Sequence, residues 1–448
     1  MATQSSLELE PVLLQRLHDA RMRSDSFFKI VKPDALYDRP IPERHRIIFY
    51  IGHLEAFDWN LLRERAFGLP VFHQEFDRLF AFGIDPVGGG LPRDRAADWP
   101  RLRQVTDYVE GAREALDKSL LPSSSSGSKN GGREFPLDRL LHVAIEHRLM
   151  HVETLAYMLH QLPLDRKLRP RGEPASVTGF AARDLTRNFS LDIPEGLATL
   201  GLSRADAEFG WDNEYERHSV PVPGFAIDRY KVTNRDYLEF VQAGGYRERL
   251  LWGDREWKWK EEAAISHPVF WTRVGDAWLY RTMFDQVPLP YDWPVYVSYA
   301  EASAYARWKG KSLPTEAQWH RAAVGTPEGP EREYPWGNEY PTAKHGNFDF
   351  HSWDPAPVAS FPAGRSAFGV EELLGNGWEW TSSVFAPFPG FERFPFYLGY
   401  SADFFDGKHY VMKGASARTA ACMARRSFRN WFQSHYQYVY AGFRCVEN

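Results

Sequence analysis

The sequence predicts an α+β protein in which a bundle of four helices leads and a half built from short strands, turns and few long helices follows. Three observations carry that prediction. Apolar residues recur at helical spacing in long runs through the first 165 positions. Beyond a basic, proline-rich stretch at 166–174, the texture changes to short extended runs punctuated by Gly, Pro and Asn. At 448 residues the chain also exceeds what one hydrophobic core usually covers, so two domains are expected, 1–165 and 175–448.

The elements follow in order. Residues 9–27 and 99–116 read as long amphipathic helices, with a Gly/Pro stretch at 83–92 between them. Residues 47–59 form an apolar, helix-like run, Ile47-Ile48-Phe49-Tyr50-Ile51-Gly52-His53-Leu54-Glu55-Ala56-Phe57-Asp58-Trp59. The segment 122–132, rich in Ser and Gly, is a flexible linker by composition. The helix after it, 137–162, ends at Pro163. Together these make a bundle, an architecture that builds metal sites from side chains on facing helices. In the second half, 221–228 and 295–298 look like strands and 299–308 like a helix. Asn234, Pro314-Thr315-Glu316, Trp336-Gly337-Asn338 and the run 375–380 are polar-aromatic clusters whose packing would hold long loops in place.

Composition excludes some classes. A net charge of −5 gives no reason to expect nucleic acid or another acidic polymer as partner. No apolar run is long enough to span a bilayer, and the first eleven residues lack the apolar core of a signal peptide. Two cysteines, Cys422 and Cys445, make no disulfide framework, so a reducing cytoplasm is the expected location. Aromatics are 15% of the chain, with 16 Trp, which suits pockets able to hold an organic cation against ring faces.

The chemistry begins with histidines. In Glu146-His147-Arg148-Leu149-Met150-His151-Val152-Glu153, His147 and His151 stand four residues apart and project from one helix face. His53, a polar ring in an otherwise apolar helix, needs a partner and can complete the set. Neutral imidazole suits zinc, copper, iron and nickel, and three protein ligands leave positions open for water, dioxygen or substrate. The bland reading, a chance pair on a helix, stands beside this one. His45, His73, His142 and His160 are competitors, read as surface groups or groups behind the ligands, and Glu153 as a possible brace.

The phrases Tyr230-Lys231-Val232-Thr233-Asn234, Leu313-Pro314-Thr315-Glu316-Ala317-Gln318-Trp319, Pro335-Trp336-Gly337-Asn338, Gly375-Asn376-Gly377-Trp378-Glu379-Trp380-Thr381 and Gly442-Phe443-Arg444-Cys445 resemble the formylglycine-generating-enzyme (sulfatase-modifying factor, C-type-lectin-like) fold across 175–448. The leading half resembles a DinB-like four-helix bundle. That fusion is similar to the ergothioneine-type sulfoxide synthases, non-haem iron enzymes that join sulfur to the imidazole of hercynine, N,N,N-trimethylhistidine. The resemblance implies Fe(II) held by His53, His147 and His151, with hercynine, a chalcogen donor and dioxygen as small-molecule partners, and a substrate pocket contributed by the second domain.

Departures from the family pattern bear on the donor. Where members using γ-glutamylcysteine carry an Asp directly after an Asn-Trp, and soon an Arg, this chain reads Asn430-Trp431-Phe432, with no arginine before Arg444. The arginine-bearing loop of the family is altered to Phe82-Gly83-Ile84-Asp85-Pro86-Val87-Gly88-Gly89. A donor with two carboxylates would find few bidentate partners. The pattern looks like that of the selenoneine synthases, which transfer selenium from a neutral selenosugar, and Phe432, Gln433, Ser434, Tyr436, Gln437, Tyr438 and Tyr440 offer stacking and neutral hydrogen bonds. A sulfoxide synthase using cysteine or γ-glutamylcysteine stays open as an alternative, as does a catalytically silent binding module, against which retention of all three histidines argues. Asn430, Trp431, Phe432, Gln433 and Tyr436 are the expected substrate contacts, with core packing as the rival role for the first two. The family's tyrosine proton or electron donor has no secure counterpart: Phe385, Phe388 and Phe396 stand where tyrosines are common, leaving Tyr397 and Tyr400 as catalytic candidates. Formylglycine-generating enzymes bind copper through a cysteine pair, but the spacing of Cys422 and Cys445 does not reproduce that motif and buried free thiols are expected.

Overall fold

Four long helices and one short one carry the first half of the chain: α1 (Ser5–Phe28), α2 (Ile47–Leu62), the short α3 (Gln74–Leu79), α4 (Leu102–Leu120) and α5 (Leu137–Gln161). The computed structural model describes residues 5–81, 83, 92–121, 135–173, 188–205 and 207–447, so the linker at 122–132 and most of the Gly/Pro stretch lie outside the described residues. The chain divides into two units, Met1–Glu173 and Pro174–Asn448.

In the first unit, α4 has the stripe its sequence predicts, burying Val105, Tyr108, Val109, Ala112, Leu116 and Leu120. Helices α2 and α5 are buried on almost every side, so any polar residue on them must find a partner inside the protein. Helix α1 packs on α5, and α2 on α4 and α5. A π-helical turn, Arg63–Phe67, extends α2 until Gly68 at φ +61° closes it, a left-handed conformation that glycine adopts without strain. The unit runs past residue 165. Arg166 pairs with Asp34 at 2.6 Å and Asp38 at 3.0 Å, and the backbone bonds Lys32 N→Arg166 O (3.0 Å) and Leu168 N→Ile30 O (2.7 Å) tie this stretch to the end of α1. Arg166, one of the basic residues that marked a linker in the sequence, is therefore engaged in the bundle.

The second unit is built from short strands. They are β1 (Ser190–Ile193), β2 (Gly196–Leu200), β3 (His218–Val222), β4 (Phe225–Asp228), β5 (Trp271–Val274), β6 (Ala277–Arg281), β7 (Gln286–Pro288), β8 (Gly377–Val384), β9 (His409–Ala415), β10 (Asn430–Gln433), β11 (Ala441–Gly442) and β12 (Val446–Glu447). They form sheets in the orders β1-β4-β12, β10-β9-β8-β11, β2-β3 and β5-β6-β7, antiparallel except for β8 with β11. Helices α6 (Asn234–Gln242), α7 (Asp254–Glu262), α8 (Tyr299–Trp308) and α9 (Glu316–Val324) intervene. Trp319 and Ala322–Val324 of α9 pack with Ile193, Val222, Phe225, Ile227 and Leu373 in one core.

Two strand expectations differ. The run 221–228 is split by Pro223-Gly224 into the end of β3 and all of β4, which belong to different sheets, because proline cannot donate in a ladder and the pair favours a turn. Residues 295–298 are extended but form no strand, making isolated bonds from Val295 N to Val232 O (3.0 Å) and from Val297 N to Ala441 O (2.9 Å). The helix at 299–308 is α8.

Where regular ladders are scarce, buried charges fix the loops. The carboxylate of Glu379 accepts from Arg444 Nε and Nη2, both at 2.7 Å, and from Trp319 Nε1 at 3.0 Å, and it pairs with Lys231 at 3.0 Å. Arg444 also donates to the carbonyls of Asp228, Arg229 and Glu371. Thr315 caps α9, Asn376 bonds both main-chain groups of Ala356, and Trp336 stacks on Tyr334 and His345. Removing one partner of a buried pair strands the other, at a cost of about 3–5 kcal/mol. Arg444→Met should therefore lower the urea midpoint of unfolding by an amount equal to about 3–5 kcal/mol with little change in slope; a shift under about 1 kcal/mol would show that the Glu379 cluster is not a keystone.

Candidate metal centre

His53 on α2 faces His147 and His151 on α5, and all three are buried. Their Nε2 atoms converge: His151 Nε2 stands 3.2 Å from His53 Nε2 and 3.1 Å from His147 Nε2. Among the described residues this is the one group of three or more metal-ligating side chains brought together.

The tautomer of His53 follows from its other nitrogen. Nδ1 lies 2.7 Å from the carbonyl oxygen of Phe80, which can only accept, so Nδ1 carries the proton and Nε2 presents a lone pair. That carbonyl is one of the unpaired acceptors at the end of α3. Gly52 makes the approach possible, since a Cβ there would stand 2.5 Å from ring atoms of Phe80. Ring stacking orients the ligands further: Phe49 lies on His53 (4.8 Å, 22°), Phe57 on His147 (3.4 Å, 11°), and Tyr50 leans against His151 (5.9 Å, 56°).

Burial keeps the rings neutral. It pushes His53 down to about 4 against the raising effect of the Phe80 carbonyl. His147 and His151 are held well below the ordinary imidazole range, first by burial and then by the neighbouring imidazoles, with Arg148 adding to both. One proton can bridge one nitrogen pair, which leaves the other close contact between lone pairs. A cation resolves that repulsion: nitrogens bound to one ion at about 2.1 Å, with angles of roughly 90–100°, stand about 3.0–3.2 Å apart. The donor set fits a divalent ion of the imidazole-preferring kind, with positions left open.

Residues 180–448 match the family described as sulfatase-modifying factor enzyme 1-like domain, and residues 16–155 match the DinB superfamily. The chain is 40% identical over 314 residues to hercynine oxygenase of Mycolicibacterium thermoresistibile, covering 68% of each protein.

The chain belongs to the hercynine oxygenase family.

It is an enzyme of oxidoreductase class with that family, and its α+β architecture is the DinB-type bundle followed by the sulfatase-modifying-factor domain. Ergothioneine biosynthesis protein 1 of Neurospora crassa is 28% identical over 502 aligned positions, 94% of this chain but 56% of that longer protein. Formylglycine-generating enzyme of Bos taurus is 31% identical over 245 residues, 48% of this chain and 63% of its own.

The other candidate residues of this hercynine oxygenase relative fall in the second unit. Asn430, Trp431, Phe432 and Gln433 are β10, the edge strand beside β9, each partly exposed. Alternation puts Trp431 and Gln433 on one face and Asn430 and Phe432 on the other. Trp431 stacks on Phe385 (4.2 Å, 6°) and meets Tyr400 and Phe404 edge-on or tilted. Phe432 stacks on buried Tyr436 (4.8 Å, 13°). Tyr400 lies flat on Trp211 at 4.0 Å and Tyr397 meets the same indole at 6.3 Å.

Several histidines are not where a surface reading would put them. His142 and His160 are buried along α5, whereas His73 caps α3, its Nδ1 accepting from Phe76 N at 3.2 Å, and His45 bonds the Gly83 carbonyl at 3.1 Å while stacking on Phe49. Cys422 and Cys445 are free thiols, and burial holds Cys445 well above the ordinary thiol range. No helix among the described residues is long and apolar enough to cross a membrane.

Behind the histidines lies a charge network that the sequence reading passed over. Arg148 bonds Asp58 at 2.6 Å and Glu55 at 2.8 Å, and Arg113 joins Glu55 to Asp25 at 2.7 and 2.8 Å. Burial opposes ionisation of Glu55, yet Arg148, Arg113 and Arg21 together hold it down to about 2. Burial raises Asp58. An arginine in a helix buried all round was itself the signal, because a permanent charge there requires carboxylates nearby.

Two outcomes test this description. His147→Ala should abolish retention of a divalent ion, read as metal per chain after reconstitution, while circular dichroism stays that of a folded helical protein. Glu55→Gln should be less stable than the parent by a gap that is full above pH 4.5, the carboxyl's ordinary value, and closes as pH falls toward about 2, where the folded-state carboxylate is lost. A gap independent of pH would show that Glu55 is not held ionised.

Proposed function

We propose that this enzyme holds Fe(II) through His53, His147 and His151 and uses dioxygen to join selenium from an uncharged selenosugar to the imidazole of hercynine. The observation that carries the metal part is the set of three neutral Nε2 atoms at 3.1 and 3.2 Å. When bound, the ion supplies a redox-active Lewis acid whose open positions bring donor and dioxygen together. In the coupling, an imidazole C–H and a selenol Se–H bond would give way to a C–Se bond, and dioxygen would take up the two electrons and two protons released.

The chain's own residues supply recognition. Hercynine carries a trimethylammonium group, which aromatic faces attract without hydrogen bonds. Trp431, backed by Phe385, is proposed to face that cation, with Asn430 bonding the neighbouring polar groups. Phe432, Gln433 and Tyr436 are proposed to contact the donor by stacking and neutral hydrogen bonds. Tyr397 and Tyr400 remain the proposed proton or electron donors to the reaction, Tyr400 being the more tightly held, on Trp211.

The uncharged donor is supported by what the arginines between 418 and 444 already do. Arg425 pairs with Glu214 (2.6 Å), Arg426 with Glu331 (3.0 Å), Arg429 with Glu316 (2.9 Å) and Arg444 with Glu379 (2.7 Å). Arg418 lies over the Trp353 ring at 3.5 Å. A thiol peptide with two carboxylates would have to compete for guanidinium groups already held by carboxylates. The second reading, carbon–sulfur bond formation with γ-glutamylcysteine or cysteine, is favoured by the 40% identity to a hercynine oxygenase.

Enzyme reconstituted with Fe(II) without air, then given hercynine, air and either donor, decides between them when products are read by mass. The expected result is conversion of the selenosugar at least tenfold faster than γ-glutamylcysteine. Turnover of the thiol peptide alone would overturn the donor assignment, and turnover of neither would overturn the hercynine reading. Trp431→Ala should raise the KM for hercynine several-fold and leave iron content unchanged.

A further inference from the structure

Arg148 follows His147 on α5 and is fully buried. Its guanidinium reaches two other helices. Nη2 donates to the carbonyl of Leu54 at 3.0 Å and to Asp58 Oδ2 at 2.6 Å, and it stands 2.8 Å from Glu55 Oε1. Nε donates to Asp58 at 3.2 Å, and Nη1 to Ser24 Oγ of α1 at 3.1 Å. The Leu54 carbonyl belongs to the residue after His53. One planar fork thus joins the peptide beside one ligand to the residue beside another.

From this juxtaposition we propose that Arg148 is the positioning residue of the metal site, fixing the register and spacing of α2 against α5 and so the place of His53 relative to His147 and His151. The proposal rests on the reading of those histidines as metal ligands. A backbone carbonyl inside a helix cannot swing as a side chain does, so a bond to it locates α2 itself. Glu55 and Asp58 hold the fork from the same helix, and Ser24 braces it from behind. Phe57, between those two acids and stacked on His147 at 3.4 Å, moves with the same turn of α2. Lysine at this place would keep the charge and lose the fork, since an ammonium is a compact point charge.

The test titrates metal-free full-length protein with Co(II), reading affinity and the d–d absorption bands, for the parent, Arg148→Lys and the double variant Arg148→Met with Asp58→Asn. The double variant removes the Arg148–Asp58 pair as a unit, leaving Glu55 to Arg113 and Arg21. Both variants should unfold cooperatively, bind Co(II) about 10–100-fold more weakly than the parent, and show shifted d–d bands. A folded variant that binds within twofold of the parent with unchanged bands overturns the proposal. Failure of both variants to fold also overturns it, making Arg148 a scaffold residue. A parent that takes up no Co(II) sinks the histidine site itself, which separates that failure from the failure of the positioning role.

Discussion

Inside a helical bundle the Nε2 of His151 cannot rest 3.2 Å from that of His53 and 3.1 Å from that of His147 without something to share. Burial removes the water that would separate them and keeps each ring uncharged, so their lone pairs meet in a medium that screens poorly. The fold around them answers that constraint at each ring. The end of α3 gives a carbonyl to His53 Nδ1, Gly52 leaves room for Phe80 to bring it, and Phe49 and Phe57 hold two rings by their faces. Helices α2, α3 and α5 are thus placed by the needs of three side chains as much as by apolar packing.

The same unit gathers a second set of charges behind the site, of which Arg148, Arg21, Glu55 and Asp58 are buried. Arg148, Arg113 and Arg21 face Glu55, Asp58, Asp25 and Asp117. Such clusters add little net stability compared with an apolar core of equal volume, because both signs must leave water. What they do add is direction. A guanidinium satisfied by carboxylates and a main-chain carbonyl has one geometry, whereas Leu against Leu has several. The second unit uses the device repeatedly, with Glu379, Glu214 and Glu316 each gripped by arginine where long loops replace strands.

Much of this was legible in the sequence, and the remainder has physical reasons. Period and breakers located the long helices and α8, and the imidazole pair at i, i+4 with a third in an apolar helix located the site. The polar-aromatic clusters were read as loop supports, and Asn376, Thr315 and Trp336 act so. Periodicity failed at 221–228 because two apolar extended runs flank a Pro-Gly turn, and the alternation does not say which sheet each run joins. Of the two places expected for His142 and His160, at the surface or behind the ligands, the surface is excluded because α5 is enclosed on almost every side. The partnership of His53 with the Phe80 carbonyl lies 27 residues apart and uses a backbone atom, which no side-chain pattern records. Arg148 stood in plain view between the two ligands, yet its role depends on Leu54 and Asp58 from another helix.

Donor choice belongs to a different level of the molecule from family membership. Identity of 40% over 314 residues establishes the family, whereas discrimination between donors is a difference of affinities that a few positions can reverse. Phe432 on β10 presents a ring that lies on Tyr436. Arg425, Arg426, Arg429 and Arg444 are each engaged by a carboxylate, of Glu214, Glu331, Glu316 and Glu379 respectively. Under the proposed donor assignment, a dicarboxylate would give up the water around two anions, while a sugar would lose only hydroxyl hydration, which ring faces and amide groups replace. Selectivity of the proposed kind would arise from rejection, and it would need no contact that the charged donor lacks.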